Sequence, residues 1–141
     1  MIFIEDTDFE VQVREEILAM LGVEDLNNST AIITAEQMAI SQIKENIGGR
    51  YDTDAIFAST GLDRNFYIVM ITIDIMLYHL WSKKAPKRIP ETRETRYGDA
   101  LDWLKPVGKG TLSCTLPQKN IEDYTGDIII ESLYKPTNNK Y

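Results

Sequence analysis

The stretch that most restricts the fold is "FYIVMITIDIMLYHLW", residues 66–81. Phe66, Ile68, Val69, Met70, Ile71, Ile73, Ile75, Met76, Leu77, Leu80 and Trp81 leave it almost no polar face. A helix that is apolar all round must be covered on every side, by its own chain or by a partner subunit. The pattern predicts a helix with Asp63 as N-cap, running to Ser82. It contains Asp74 and His79 and is shorter than the roughly 20 apolar residues of a membrane span, so it reads as the buried centre of a soluble domain. Asp74 and His79 are five residues apart, which places them on different helix faces. Polar groups satisfied inside a core, or a contact between subunits, explain them better than an acid–base pair does.

Three further helices can surround it. "TDFE" has capping-box spacing at Thr7 and Glu10, and Phe9, Val13, Ile17, Met20 and Leu21 then form one stripe that stops at Gly22. A polar loop over residues 23–33 leads to a second box at Thr34 and Gln37. Ile33 and Met38 have staple spacing there, and Ile40, Ile43 and Ile47 share a face. The fourth helix starts at Pro90 with Glu91 and Glu94 in its first turn and carries Tyr97, Ala100, Leu101 and Leu104. Gly98 in its interior suggests a close helix crossing, and Pro106, Gly108 and Gly110 are expected to end it. The fold class is therefore mainly α: a four-helix bundle-like core over residues 1–116, with a C-terminal extended or β tail over residues 117–141. The 141 residues and 43% hydrophobic content suit one such domain. The start, "MIFIEDTDFE", lacks the basic region of a secretory signal, and a single Cys114 excludes an internal disulfide.

"KENIGGRYDTDA", residues 44–55, resembles a phosphate loop only at first sight. Its glycines follow a helix, whereas anion sites use the opposite, N-terminal end. Gly48 is expected as a C-cap with positive φ. Asp52 and Asp54 follow in a loop with no His or Glu at ligand spacing, so no metal and no cofactor is expected.

Charge is uneven. Residues 1–62 carry twelve acids against three bases, a balance of −9, and residues 63–110 carry six against nine, a balance of +3. Complementary halves suit head-to-tail self-association, or pairing within one molecule. Lys87, Arg88, Arg93 and Arg96 are the candidate subunit-interface cations. Residues 83–96 also support an alternative, a small helical nucleic-acid-binding or regulatory protein, though no base-reading motif accompanies them. In the tail, "DIIIESLY" reads as a short strand. Ile128, Ile129 and Ile130 are too apolar for a free end, and they are expected to act as a docking arm or to fold back as a hairpin.

Residues 34–116 resemble the small phage head–tail connector proteins, the Mu-like head-completion group. The resemblance rests on "AEQMAISQIKENIGGRYD", on the apolar helix, and on "RETRYGDALDWLKPVGKGTLS". The matching positions are Ile47, Gly48, Gly49, Arg50 and Tyr51, then Tyr97, Ala100, Trp103, Leu104, Lys109 and Gly110. Both Arg93 and Arg96 stand where the group has one arginine before the tyrosine. The long first helix and the strand-like tail depart from the group. The resemblance implies a virion part rather than an enzyme. Such proteins form a ring, commonly a dodecamer, beneath the portal protein. Their partners are other copies, the portal, and the tail or a tail-completion protein. DNA passes through the channel without sequence-specific contact, and no membrane is involved. The implied location is the virion neck, and the host cytoplasm during assembly.

Overall fold

The computed structural model describes residues 1–22, 26 and 29–120. They form five α-helices: α1 (Val11–Leu21), α2 (Thr30–Ile47), α3 (Thr53–Ala58), α4 (Phe66–Lys84) and α5 (Glu91–Lys109). Single 3-10 turns lie at Asp6–Asp8, Gly61–Asp63 and Pro86–Arg88. Among the described residues there is no strand, only one antiparallel bridge between Tyr51 and Gln118. The protein is mainly helical, as its periodicity predicts, with α2, α4 and α5 packed on one another as the core.

α4 is the apolar helix. Nine of its nineteen residues are buried, including Ile68, Ile71, Ile75 and Leu77. Its own chain supplies most of the cover, through α2 and α5. The cap is Asn65 rather than Asp63: the Asn65 side-chain oxygen accepts from the N–H groups of Tyr67 and Ile68 at 3.0 and 3.1 Å. Thr72 is buried without an orphaned hydroxyl, because it donates to the Ile68 carbonyl at 2.7 Å.

α2 begins four residues before the expected box. Thr34 lies inside its first turns and donates to the Thr30 carbonyl at 2.8 Å, and Met38 faces outward instead of stapling Ile33. Burial decides this. Ile32 and Ala35 are fully enclosed along with Ala39, Ile43 and Ile47, so the core stripe starts earlier than the capping pattern suggests. Glu36 lies in the same stripe and is buried. Its carboxylate accepts the N–H groups of Ile2, Phe3 and Ile4 at 2.6–2.8 Å, which fastens the first residues across α2 as an extended strap.

The strap continues into the Asp6–Asp8 turn, which replaces the expected Thr7–Glu10 box. Buried Arg64 holds the two ends of this region together. It donates to the Asp8 carboxylate, to the Phe3 carbonyl at 2.9 Å and to the Gly61 carbonyl at 3.0 Å. α1 then lies beside the core with Ile17 fully buried and ends, as predicted, at Gly22 with φ 65°.

Between α2 and α4 a loop is expected, yet α3 forms. Asp52 caps it by accepting the Ala55 N–H at 3.0 Å, and Ile56 anchors it. α5 runs through Pro106 and Gly108, where a stop is expected. Proline forfeits one ladder bond and crowds the carbonyl one turn back, but buried Val107 carries the helix past it. The helix closes at Gly110, φ 78°, with Gly110 N–H on the Val107 carbonyl and Thr111 N–H on that of Pro106. Gly98 is not at a crossing, since a Cβ there meets nothing within 4 Å. The crossing is at Gly108, where a Cβ would strike the Asn46 carbonyl oxygen of α2.

After α5 the chain returns to the core. Asp52 N–H donates to the Pro117 carbonyl at 2.9 Å and Lys119 N–H to that of Arg50 at 3.0 Å. The expected strand, with Ile128, Ile129 and Ile130, lies outside the described residues.

Candidate assembly surface

The four candidate interface cations occupy different settings. Lys87 and Arg88 are exposed on the turn after α4, close in sequence to exposed Lys83 and Lys84 in its last turn. Cations suit that end, where the helix carries a partial negative charge. Arg93 points inward. Its Nη2 donates to Glu16 Oε2 at 2.7 Å, and Trp81 Nε1–H donates to Glu16 Oε1 at 2.7 Å. Burial would raise the Glu16 pKa, but the hydrogen bonds from Arg93 and Trp81 outweigh it and hold the carboxyl below its usual value. One carboxylate thus ties α1 to α4 and α5. Arg96 is half exposed and stands 3.6 Å from Asp74.

Arg93 and Arg96 line one side of a groove of about 380 Å³. Its floor is α4, with Val69, Met70, Ile73 and Leu77, and Phe9 and Val13 form the far wall. Phe66 and Met70 stand exposed along it, and Leu62 is 89% exposed on the turn before α4. This apolar surface is what remains uncovered of the all-round apolar helix. Asp74 lies in the groove with its side chain 10% exposed. Burial raises its pKa, and Arg93 and Arg96 offset that only in part.

Asp74 and His79 fall on different faces, as their spacing requires. His79 Nε2 is 3.0 Å from Gln42 Oε1, and Gln42 Nε2 donates to the Tyr97 hydroxyl at 2.8 Å. Tyr97 stacks on Tyr78 with 3.9 Å between centroids. Burial, helped by Lys83, lowers the His79 pKa and favours the neutral ring. The Gln42 amide therefore bridges α2, α4 and α5, a network that specifies how these helices meet. Among the described residues no group of three or more His, Cys, Asp or Glu is placed to hold a metal ion, and no helix is long and apolar enough to cross a membrane.

Gly48 follows α2 as its C-cap but with φ −64°, not the expected positive value. A glycine is still required, because a Cβ would press on the Lys44 carbonyl oxygen. Arg50 covers Gly110: a Cβ on Gly110 would fall on its guanidinium. Tyr51 is buried beside Cys114, whose hydrogen bond, with burial, raises the phenol pKa. The segments around Gly48 and Gly110 thus meet each other at the ends of α2 and α5, where they set a helix crossing.

The family model for Bacteriophage Mu, Gp36 matches residues 4–128. The chain belongs to that family. No curated protein and no solved structure matches it. The Gp36 match spans all five helices, and membership points to a phage structural or assembly protein, in the virion or the infected cell. In this Gp36 member the strap bonds to Glu36, the Arg64 clamp and the Glu16 tie are the contacts that sequence reading missed. Each engages a buried or partly buried charge whose partner lies more than thirty positions away.

Proposed function

We propose that this chain is a head–tail connector of a tailed phage. Copies form a ring beneath the portal, extend the DNA channel and offer the tail its attachment surface. The observation that carries the reading is the Gp36 match across all five helices. The architecture supports it. A rigid core is held at its crossings by Gly108 and by the Gln42 network, and it carries two dissimilar exposed features, a basic turn and an apolar groove. A ring needs two different complementary faces on each copy. The role assigned is structural, with no catalytic step given to any residue.

Lys83, Lys84, Lys87 and Arg88, all exposed, favour a second reading as a nucleic-acid-binding protein. Mass measurement in solution, alone and with the cognate portal, separates the two. The connector reading expects a closed oligomer or a portal-bound one. A chain that stays monomeric, ignores portal and shifts duplex DNA at low salt would replace it with the second reading.

A further inference from the structure

α4 carries unlike surfaces at its two ends. At the C-terminal end Lys83, Lys84, Lys87 and Arg88 are exposed within six positions, with exposed Pro86 between them. None of the four has an ion pair among the described residues. The acids next to them in sequence are Glu91 and Glu94 in the first turn of α5, so this end keeps a balance of +2.

At the N-terminal end the sign is reversed. Glu5 Oε1 accepts the Gly61 N–H at 3.3 Å, which ties the strap to the turn before α4. Arg64 gathers Glu5 and Asp8 there, and Arg14 pairs with Asp6. Asp63 on the same turn and Glu10 before α1 are exposed and have no ion pair among the described residues. These five carboxylates against Arg14 and Arg64 leave this end at −3. Acids alone would make a solvated rim. Here they share the helix end with Leu62, the most exposed large apolar side chain among the described residues, and with Phe66, in the groove that Glu10 also lines. Exposed apolar groups beside a polar rim mark an interaction surface.

An occupant of that surface must offer cations together with some apolar area. A second copy does so through its basic turn and Pro86. A nucleic-acid backbone would meet the cations only and leave Leu62 and Phe66 in water. The same copy's basic turn is out of reach: Phe66 and Lys84 are eighteen residues apart on one helix, about 27 Å at 1.5 Å per residue. Two fixed ends of one helix with opposite charge can meet only between copies, head to tail.

We propose that the basic turn of one copy, residues 83–88, seats on the N-terminal end of α4 in a second copy, with its cations toward Asp63 and Glu10 and Pro86 toward Leu62. The proposal rests on the self-associating reading above, and it names the contact.

A charge swap tests it. Two full-length variants are made, one with Lys87→Glu and Arg88→Glu, the other with Glu10→Lys and Asp63→Lys. All four positions are exposed, and unchanged melting temperatures check the fold. Self-association is read by sedimentation velocity at low salt, alone and with the cognate portal. Each variant should associate about tenfold or more weakly than wild type, since like charges then face each other. An equimolar mixture of the two should recover most of that loss. In the mixture the reversed turn of one meets the reversed end of the other, and the two unaltered surfaces meet as well. Leu62→Ser should weaken association by an amount that added salt does not remove, because an apolar contact is not screened. A mixture that recovers nothing, or association indifferent to Leu62→Ser, overturns the proposal. So does a wild type that stays monomeric both alone and with portal. Loss in the Lys87–Arg88 variant with the Glu10–Asp63 variant unchanged would hand the turn to other acids, such as Asp127 and Glu131 of the tail, and would dismiss this contact. Recovery in pairs that never close a ring and never bind portal keeps the contact and removes the connector reading. A ring or portal complex that both variants still form does the reverse.

Discussion

Gly98 and Gly108 belong to the same helix and answer to different forces. At Gly98 the space for a methyl group is open and φ is not positive, so glycine contributes only chain entropy to the unfolded state. Gly98→Ala should stabilise the protein by roughly 0.5–1 kcal/mol. At Gly108 the same methyl group meets the Asn46 carbonyl of α2, and backbone cannot swing aside as a side chain can. Gly108→Ala should cost about 1–3 kcal/mol or more, the usual range for overpacking. Urea melts of the two variants decide the matter; equal shifts, or shifts of the reverse sign, would mean that α2 and α5 do not cross at Gly108. The sequence pointed at the wrong glycine for a physical reason. Helix propensity marks every interior glycine as costly, but only the partner backbone says which one is needed. Gly48 teaches the same lesson, since its requirement comes from the Lys44 carbonyl and not from a left-handed backbone.

At the scale of elements, the apolar stretch of α4 was legible because a helix without a polar face has few places to go. The stops at Gly22 and Gly110 were legible too, as both adopt positive φ. Starts were less so. The Thr34–Gln37 pattern is a local signal, and the burial of Ile32 and Ala35 outweighs it. α3 was invisible because six residues capped by Asp52 show no period, and α5 passes Pro106 because Leu104 and Val107 on either side of it are buried in the core, which proline's local cost does not reveal. The attachment of α1 was hidden altogether, for it depends on Glu16 meeting Trp81 and Arg93 across the chain. Glu16→Gln should therefore loosen α1 while leaving α2, α4 and α5 paired. The sign with pH follows from the lowered Glu16 pKa. Its stabilisation is fully present above the ordinary glutamate value of 4.5 and is lost as pH falls through the lowered value. Protection of α1 amides, relative to their intrinsic exchange rates, should fall in wild type over that acid range. Glu16→Gln should show the faster exchange already at neutral pH, with less further change on acidification. Exchange in α1 that is the same in both proteins at pH 7 would dismiss the tie.

For the whole molecule, the question is how much of the uneven charge is consumed within one copy. A good part is. Arg93 pairs with Glu16, Arg64 with Asp8 and Lys44 with Asp54, each joining an acid of the first half to a base of the chain. Lys83, Lys84, Lys87 and Arg88 have no ion pair among the described residues and stay exposed. The cations therefore fall into two groups. The Arg93 charge holds the fold, and those at 83–88 stay on the surface, where the proposed connector reading would use them. Lys87→Glu with Arg88→Glu should weaken self-association without moving the melting temperature of the monomer. Arg93→Glu should lower that melting temperature, because it sets a second carboxylate against Glu16 in a half-enclosed site. Added salt should weaken wild-type association, since charges in water are screened beyond about 8–10 Å at physiological ionic strength. It should weaken the Lys87–Arg88 double variant much less, because the screened attraction is already gone. Sedimentation velocity at two salt concentrations, beside thermal melts, reads all three. If the double variant associates as strongly as wild type and keeps the same salt dependence, the basic turn is a solvated surface and the contact between copies lies elsewhere.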